Sequence, residues 1–154
     1  MRATSHHRRQ HGRGFERGTG GVEVLALGVL VLVLGTLLVA NMWAVVDAKH
    51  AAISAAREAA RVAVESSDGP TARARAVEAG RRTLTALGRT AERSQVELEG
   101  NFGRCQRVVA TVRVDVAAIA LPGVSTRAYF HVRAEHSEVV DPYRSGLAGV
   151  ARCE

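Results

Sequence analysis

GTGGVEVLALGVLVLVLGTLLVANMWAVV, residues 18–46, is the longest apolar run of the chain. Residues 24–40 are seventeen positions without a charge, and continuing to Val46 makes twenty-three, interrupted only by Thr36 and Asn41. At 1.5 Å per helical residue the longer run measures about 34 Å, against a bilayer hydrocarbon core of about 30 Å. The run predicts one helix that crosses a membrane once.

Glu23 stands at the edge of this run, five residues after Gly18. A charged side chain costs about 2.5–3.5 kcal/mol at mid-bilayer and less near the interface, so its position carries information. One reading places Glu23 just outside the lipid tails with no further role. The flanking residues support another: basic residues, Gly18, four residues ending in Val22, Glu23, then an apolar helix. This order resembles the cleavage site of type IV prepilins. The resemblance implies that a prepilin peptidase cuts after Gly18, that Thr19 becomes the new N-terminus, and that Glu23 becomes the fifth mature residue. It further implies that the new ammonium of one subunit meets the Glu23 carboxylate of a neighbour as helices bundle. A buried charge left without such a partner is strongly destabilising.

Length bounds the remainder. A chain of 154 residues has room for one membrane helix and one small domain of about 100 residues. The sequence divides into a basic cytoplasmic leader at 1–18, a transmembrane helix at 19–46 and an extracytoplasmic domain at 47–154. Charge follows the same division. Residues 1–18 hold five arginines against Glu16, a net of +4, and the remainder holds sixteen basic against fourteen acidic residues, a net of +2. Excess arginine ahead of a membrane helix is the pattern of a tail kept in the cytoplasm. The nearly neutral remainder argues against nucleic-acid binding. His6, His7 and His11 enrich the tail, but no further ligands follow at a metal-binding spacing, and no metal or cofactor is expected.

A secretory signal has an apolar core of about 7–15 residues before its cleavage site. The present run is longer and passes into Trp43, a residue suited to the outer interface. Cleavage after Ala40 or Ala44, as in a secretory signal, is the alternative reading of the run. No cysteine lies near the run, which excludes a lipoprotein anchor.

Beyond Val46 the chain reads DAKHAAISAAREAARVAVE without Gly or Pro, rich in the best helix former. The membrane helix is therefore expected to continue as an amphipathic helix to about Glu65. Here the resemblance widens. ERGTGGVEVLALGVLVLVLGTLL from Glu16, followed by AAREAARVAV from Ala55, resembles the TadE-like family of Tad pilus-assembly proteins over residues 16–65. The chain departs from the family pattern in having Val24 where an aromatic often follows the glutamate, and Gly28 but no early proline. The resemblance implies a pilin-like fold and a minor pilin or pseudopilin of a Tad-type pilus. Its partners would be the membrane and other Tad pilus or secretion components.

Ser66 to Pro70, SSDGP, is the first break, and Gly69 and Pro70 are expected to end the long helix, with Ser67 or Thr71 capping the next. Residues 71–93 show helical spacing of Ala74, Val77, Leu84, Leu87 and Ala91, weakened at Gly80 and Gly88. The arginines of this stretch, Arg73 and Arg93 among them, read as a solvated face, because Glu78 and Glu92 dilute them and no aromatic is interleaved.

After Ser94 the period falls to two. Val96 and Leu98, then Val108, Ala110, Val112, Val114 and Val116, then Phe130, Val132 and Ala134 alternate mostly with polar residues. That alternation predicts half-buried strands separated by turns at 100–103 and at Pro122-Gly123. The expected fold is thus α+β. A single N-terminal transmembrane helix extends into a long amphipathic helix, then come a second helix and a small antiparallel three-stranded sheet covered by the helices. Three strands need that cover to be stable.

Cys105 and Cys153 both follow the apolar run. With the tail cytoplasmic, both lie in an oxidising compartment, where a disulfide would tie the chain end back to the sheet for about 4 kcal/mol. Two free thiols are the other possibility. His131 and His136 lie on opposite faces of a strand, and Asp115, Glu135, Glu138 and Asp141 fall on polar faces or in the tail. No phosphate loop, nucleophile elbow or zinc-protease pattern occurs, so neither an enzyme nor a small-molecule substrate is expected. Two function classes stand: the Tad-type pilus subunit, and a non-polymerising single-pass membrane-anchored interaction module of the cell envelope.

Overall fold

The computed structural model describes residues 20–66, 69–119, 128–147, 149 and 152–153. The elements run α1 (Gly20–Glu65), α2 (Gly69–Ala86), a 3-10 turn (Ala91–Arg93), β1 (Ser94–Gly100), β2 (Arg107–Ala117) and β3 (Tyr129–Val139). The fold is α+β, with a long helix that is apolar in its N-terminal half, a second helix and one antiparallel sheet in the order β1-β2-β3. The described residues fall into two compact units, divided between Thr36 and Leu37 of α1.

In the second unit the alternation read from the sequence becomes a buried sheet face. Val96 pairs with Val112, Leu98 with Ala110, and Val112 in turn with Ala134, so the apolar side chains of three strands share one surface. Onto it packs a stripe of α1 made wholly of alanine: Ala48, Ala51, Ala52, Ala55, Ala56, Ala59, Ala60 and Ala63, all buried. Steps of three and one keep these residues on one helix face. Methyl groups let the helix backbone come close, and the branched valines opposite fill the space that small residues leave. The opposite face of this helical stretch carries Glu58, Arg61 and Glu65, with Arg61 2.8 Å from Glu58 and 2.7 Å from Glu65. The Arg61 guanidinium holds the Glu58 carboxyl below the usual carboxylate range, a small contribution present at neutral pH and lost as acid protonates Glu58.

α2 departs from the expected stripe. Ala72, Ala76, Ala79 and Leu84 are buried, whereas Ala74, Leu87 and Ala91 are exposed and only Val77 is half-buried. Gly80 lies where α1, α2 and β1 converge: a Cβ there would sit 3.0 Å from a Val96 methyl and 3.3 Å from the Ala59 Cβ. Its cost to helix propensity, about 1 kcal/mol, accompanies a close approach that an added methyl would crowd against Val96 and Ala59. Gly69 and Pro70 also correct the expectation. They open α2 rather than close α1, and Pro70 occupies the first turn, where a missing N–H costs nothing. The far end stops short of Arg93. Gly88 takes a φ of 73°, its N–H bonds Thr85 O at 3.0 Å, and Arg89 N–H reaches back to Leu84 O at 2.8 Å. That pair of bonds is a Schellman cap, which requires the left-handed residue glycine supplies.

Both free edges of the sheet are met by a helix cation. Arg73 of α2 donates to Leu98 O of β1 at 2.5 Å, and Lys49 of α1 donates to Arg133 O of β3. Cations placed on edge carbonyls discourage edge-to-edge pairing with another sheet. Arg73 also lies 5.5 Å from the Phe102 ring centre. The outer sheet face is polar and cross-linked between strands, Arg113 to Glu97 by an ion pair at 3.0 Å and His131 Nδ1 to an Asp115 carboxylate oxygen at 2.7 Å.

Cys105 and Cys153 are joined in a disulfide, with 5.2 Å between their Cα atoms. Around it the chain after β3 is bound back to the β1–β2 connection. Cys105 N–H donates to Val140 O at 3.0 Å, Val140 N–H to Gln106 O at 2.9 Å, and Arg104 Nε to Arg144 O at 2.9 Å. Arg144 in turn donates to Val64 O of α1 at 2.8 Å, so the end of β3 is tied to the helix as well as to the turn.

Candidate membrane segment and processing site

The apolar run forms one continuous part of α1. Val24, Leu25, Leu27, Val29, Leu30, Val31, Leu32, Val33, Leu34, Leu38 and Val39 are all exposed. A soluble surface helix hides one stripe and wets the other, whereas a helix apolar all round requires an apolar surrounding. Among the described residues this is the one helix long and apolar enough to cross a membrane.

Its polar interruptions are satisfied without water. Thr36 Oγ1 donates to Leu32 O at 2.8 Å, and Asn41 Nδ2 to Leu37 O at 2.8 Å, each one turn back along α1. Backbone and hydroxyl groups in lipid must be paired inside the protein, and these pairs meet that demand. Gly28 and Gly35 have nothing within 4 Å of the place a Cβ would take, and their seven-residue spacing puts both on nearly the same helix face. In lipid, small residues on a face let another helix approach closely.

Glu23 lies in the first turn of α1 and is exposed. A carboxylate there faces the positive end of the helix dipole, a favourable place for it. Gly18 and Thr19, the expected scissile pair, lie outside the described residues. Cys105 and Cys153 lie in the second unit, at the disulfide described above.

His131 and His136 do not converge on a chemical site. His131 pairs with Asp115 across the outer face at 2.7 Å, and His136 lies 3.4 Å from Glu138 on its own strand. Among the described residues no group of three His, Cys, Asp or Glu side chains could hold a metal ion. A cleft of about 250 Å³ is lined by Arg89, Arg93 and Asp115 among others, but Arg89 is paired with Asp47 and Asp115 with His131. Asn41, in sequence a polar interruption of the run, has a structural partner. Its side chain also accepts the Ile119 N–H at 2.8 Å and donates to Ile119 O at 3.4 Å. A signal was present: a lone amide in an apolar helix needs a partner, and the sequence does not say which.

No family model, curated protein or solved structure matches this chain.

Proposed function

We propose that this protein is a single-pass envelope protein of the Tad pilus-assembly type, a minor pilin or pseudopilin with residues 1–18 in the cytoplasm and 47–154 outside. The observation that carries the reading is α1, exposed and apolar all round across the run, with a single carboxylate in its first turn. In this role the Glu23 carboxylate guides subunit addition by pairing with the N-terminal ammonium of a neighbour, and the apolar helices bundle, the Gly28–Gly35 face admitting close approach. The small domain faces outward. It acts by assembly and not by catalysis, without a nucleic-acid or small-molecule partner.

The same helix argues against removal of the run as a secretory signal. Ala44 packs on the core and Asn41 holds Ile119, so a cut after Ala44 would strip the second unit of both contacts. N-terminal sequencing of the mature protein tests the pilin-type role. Thr19 as first residue is the expected result. An intact leader overturns processing and assigns the chain to the non-polymerising anchored modules.

A further inference from the structure

Asn41 lies within the apolar run, yet its amide bonds both the N–H and the C=O of Ile119, at 2.8 and 3.4 Å. Ile119 directly follows the end of β2, where Ala118 N–H bonds Ala128 O at 2.9 Å and Ala117 pairs with Tyr129, the first residue of β3. One end of the sheet is therefore held at a fixed position on the run. That end is also apolar on its surface. Ile119 is 50 % exposed, Phe130 42 % and Tyr129 41 %, while Trp43, two residues along from Asn41, is 74 % exposed.

The bilayer sets the depth of this end. A hydrocarbon core takes about 20 helical residues, and that count taken from Val24 ends at Trp43, beyond Asn41. The residue that grips Ile119 thus falls at the outer boundary of the lipid tails. Trp and Tyr favour that depth, with ring in the apolar layer and polar atom toward the headgroups.

We propose that the β2–β3 end of the sheet is seated in the outer interface of the membrane that α1 crosses, a second lipid contact made by Ile119, Tyr129 and Phe130. The inference rests on the membrane reading of α1 but not on prepilin processing or assembly. Lipid is the occupant because this end is fastened to a helix segment whose own surroundings are lipid. Charge does not carry the contact. Arg89 is neutralised by Asp47, Asp115 faces His131, and Arg93 lies 5.8 Å from the Tyr129 ring centre, so anionic lipid is not required.

Trp43 is the sole tryptophan, which makes a depth measurement direct. In a Trp43→Phe background, a single tryptophan is placed by Ile119→Trp, Tyr129→Trp, Leu30→Trp or Tyr143→Trp, and the full chain is reconstituted in phosphatidylcholine vesicles. Fluorescence is then read with lipids brominated near the headgroup or near the chain end. Quenching of the 119 and 129 probes by the shallow bromines, with none at 143, is the expected result, unchanged when phosphatidylglycerol is added. Tyr129→Trp is a conservative exchange at an exposed position and gives the reading should the 119 variant misfold. Quenching of the 30 probe alone overturns the seat and leaves the membrane helix standing. No quenching at 30 by the deep bromines overturns both, and a seat that appears only with phosphatidylglycerol overturns its apolar basis.

Discussion

Leu34→Arg is expected to remove the chain from the membrane fraction. Leu34 lies near the middle of the twenty residues that begin at Val24, so the new guanidinium would sit near mid-bilayer. The cost there is about 2.5–3.5 kcal/mol on insertion scales, a drop in partition of about 60- to 400-fold. Helix formation does not confuse the result, since Arg and Leu have nearly equal helix propensity. Leu34 makes no contribution to the buried core either, because its side chain is exposed. The loss therefore reports the lipid environment of the helix and not the folding of the second unit. Glu23→Gln serves as the contrast: it removes a charge at the edge of the run and leaves insertion intact. Fractionation followed by alkaline extraction measures both. Normal membrane retention of the Leu34→Arg protein would mean that this helix finds its apolar partner elsewhere.

The second large effect belongs to the disulfide. Cys105 and Cys153 are 48 residues apart, and closing a loop of that length restricts the unfolded chain by about 4 kcal/mol. For a unit of the size of Leu37–Glu154, with an unfolding entropy near 2 cal/mol/K per residue, this corresponds to a Tm lowered by about 15 °C. The Cys105→Ser/Cys153→Ser double variant and the reduced native protein should show the same drop, and reductant should leave the variant unaffected. Thermal unfolding followed by circular dichroism in detergent checks this. A Tm that does not move would show that the hydrogen bonds of Arg104, Cys105 and Val140 fix the chain end by themselves.

Where the sequence was legible, a strong period and a large volume difference stood behind it. Val96, Val112, Val114 and Val132 alternate with charged or polar neighbours, and only one face of a strand can bury them. The long helix was equally plain, because nothing between Val22 and Glu65 breaks it. In α2 the signal failed for a physical reason. Alanine gains little from burial, so Ala72 and Ala76 cannot be told from Ala74 by composition, and the exposed Leu87 outweighed them. Gly88 was read as a weakness in a helix when it is the residue that stops one. Arg73 was read as part of a solvated face, although it binds the free edge of β1. Partners such as Arg73 with Leu98 O, or Asn41 with Ile119, join residues far apart in the chain through backbone atoms, which every residue type offers alike. The prepilin-like spacing of Gly18 and Glu23 rests on the sequence alone.

On the proposed topology α1 leads residues 47–154 across a bilayer and leaves residues 1–18 behind. Protease treatment of intact spheroplasts, read with one antibody against the leader and another against the second unit, tests it most directly. The second unit should be digested while the leader stays protected until the cells are lysed. A second unit that survives in intact spheroplasts and is cut only on lysis would contradict it.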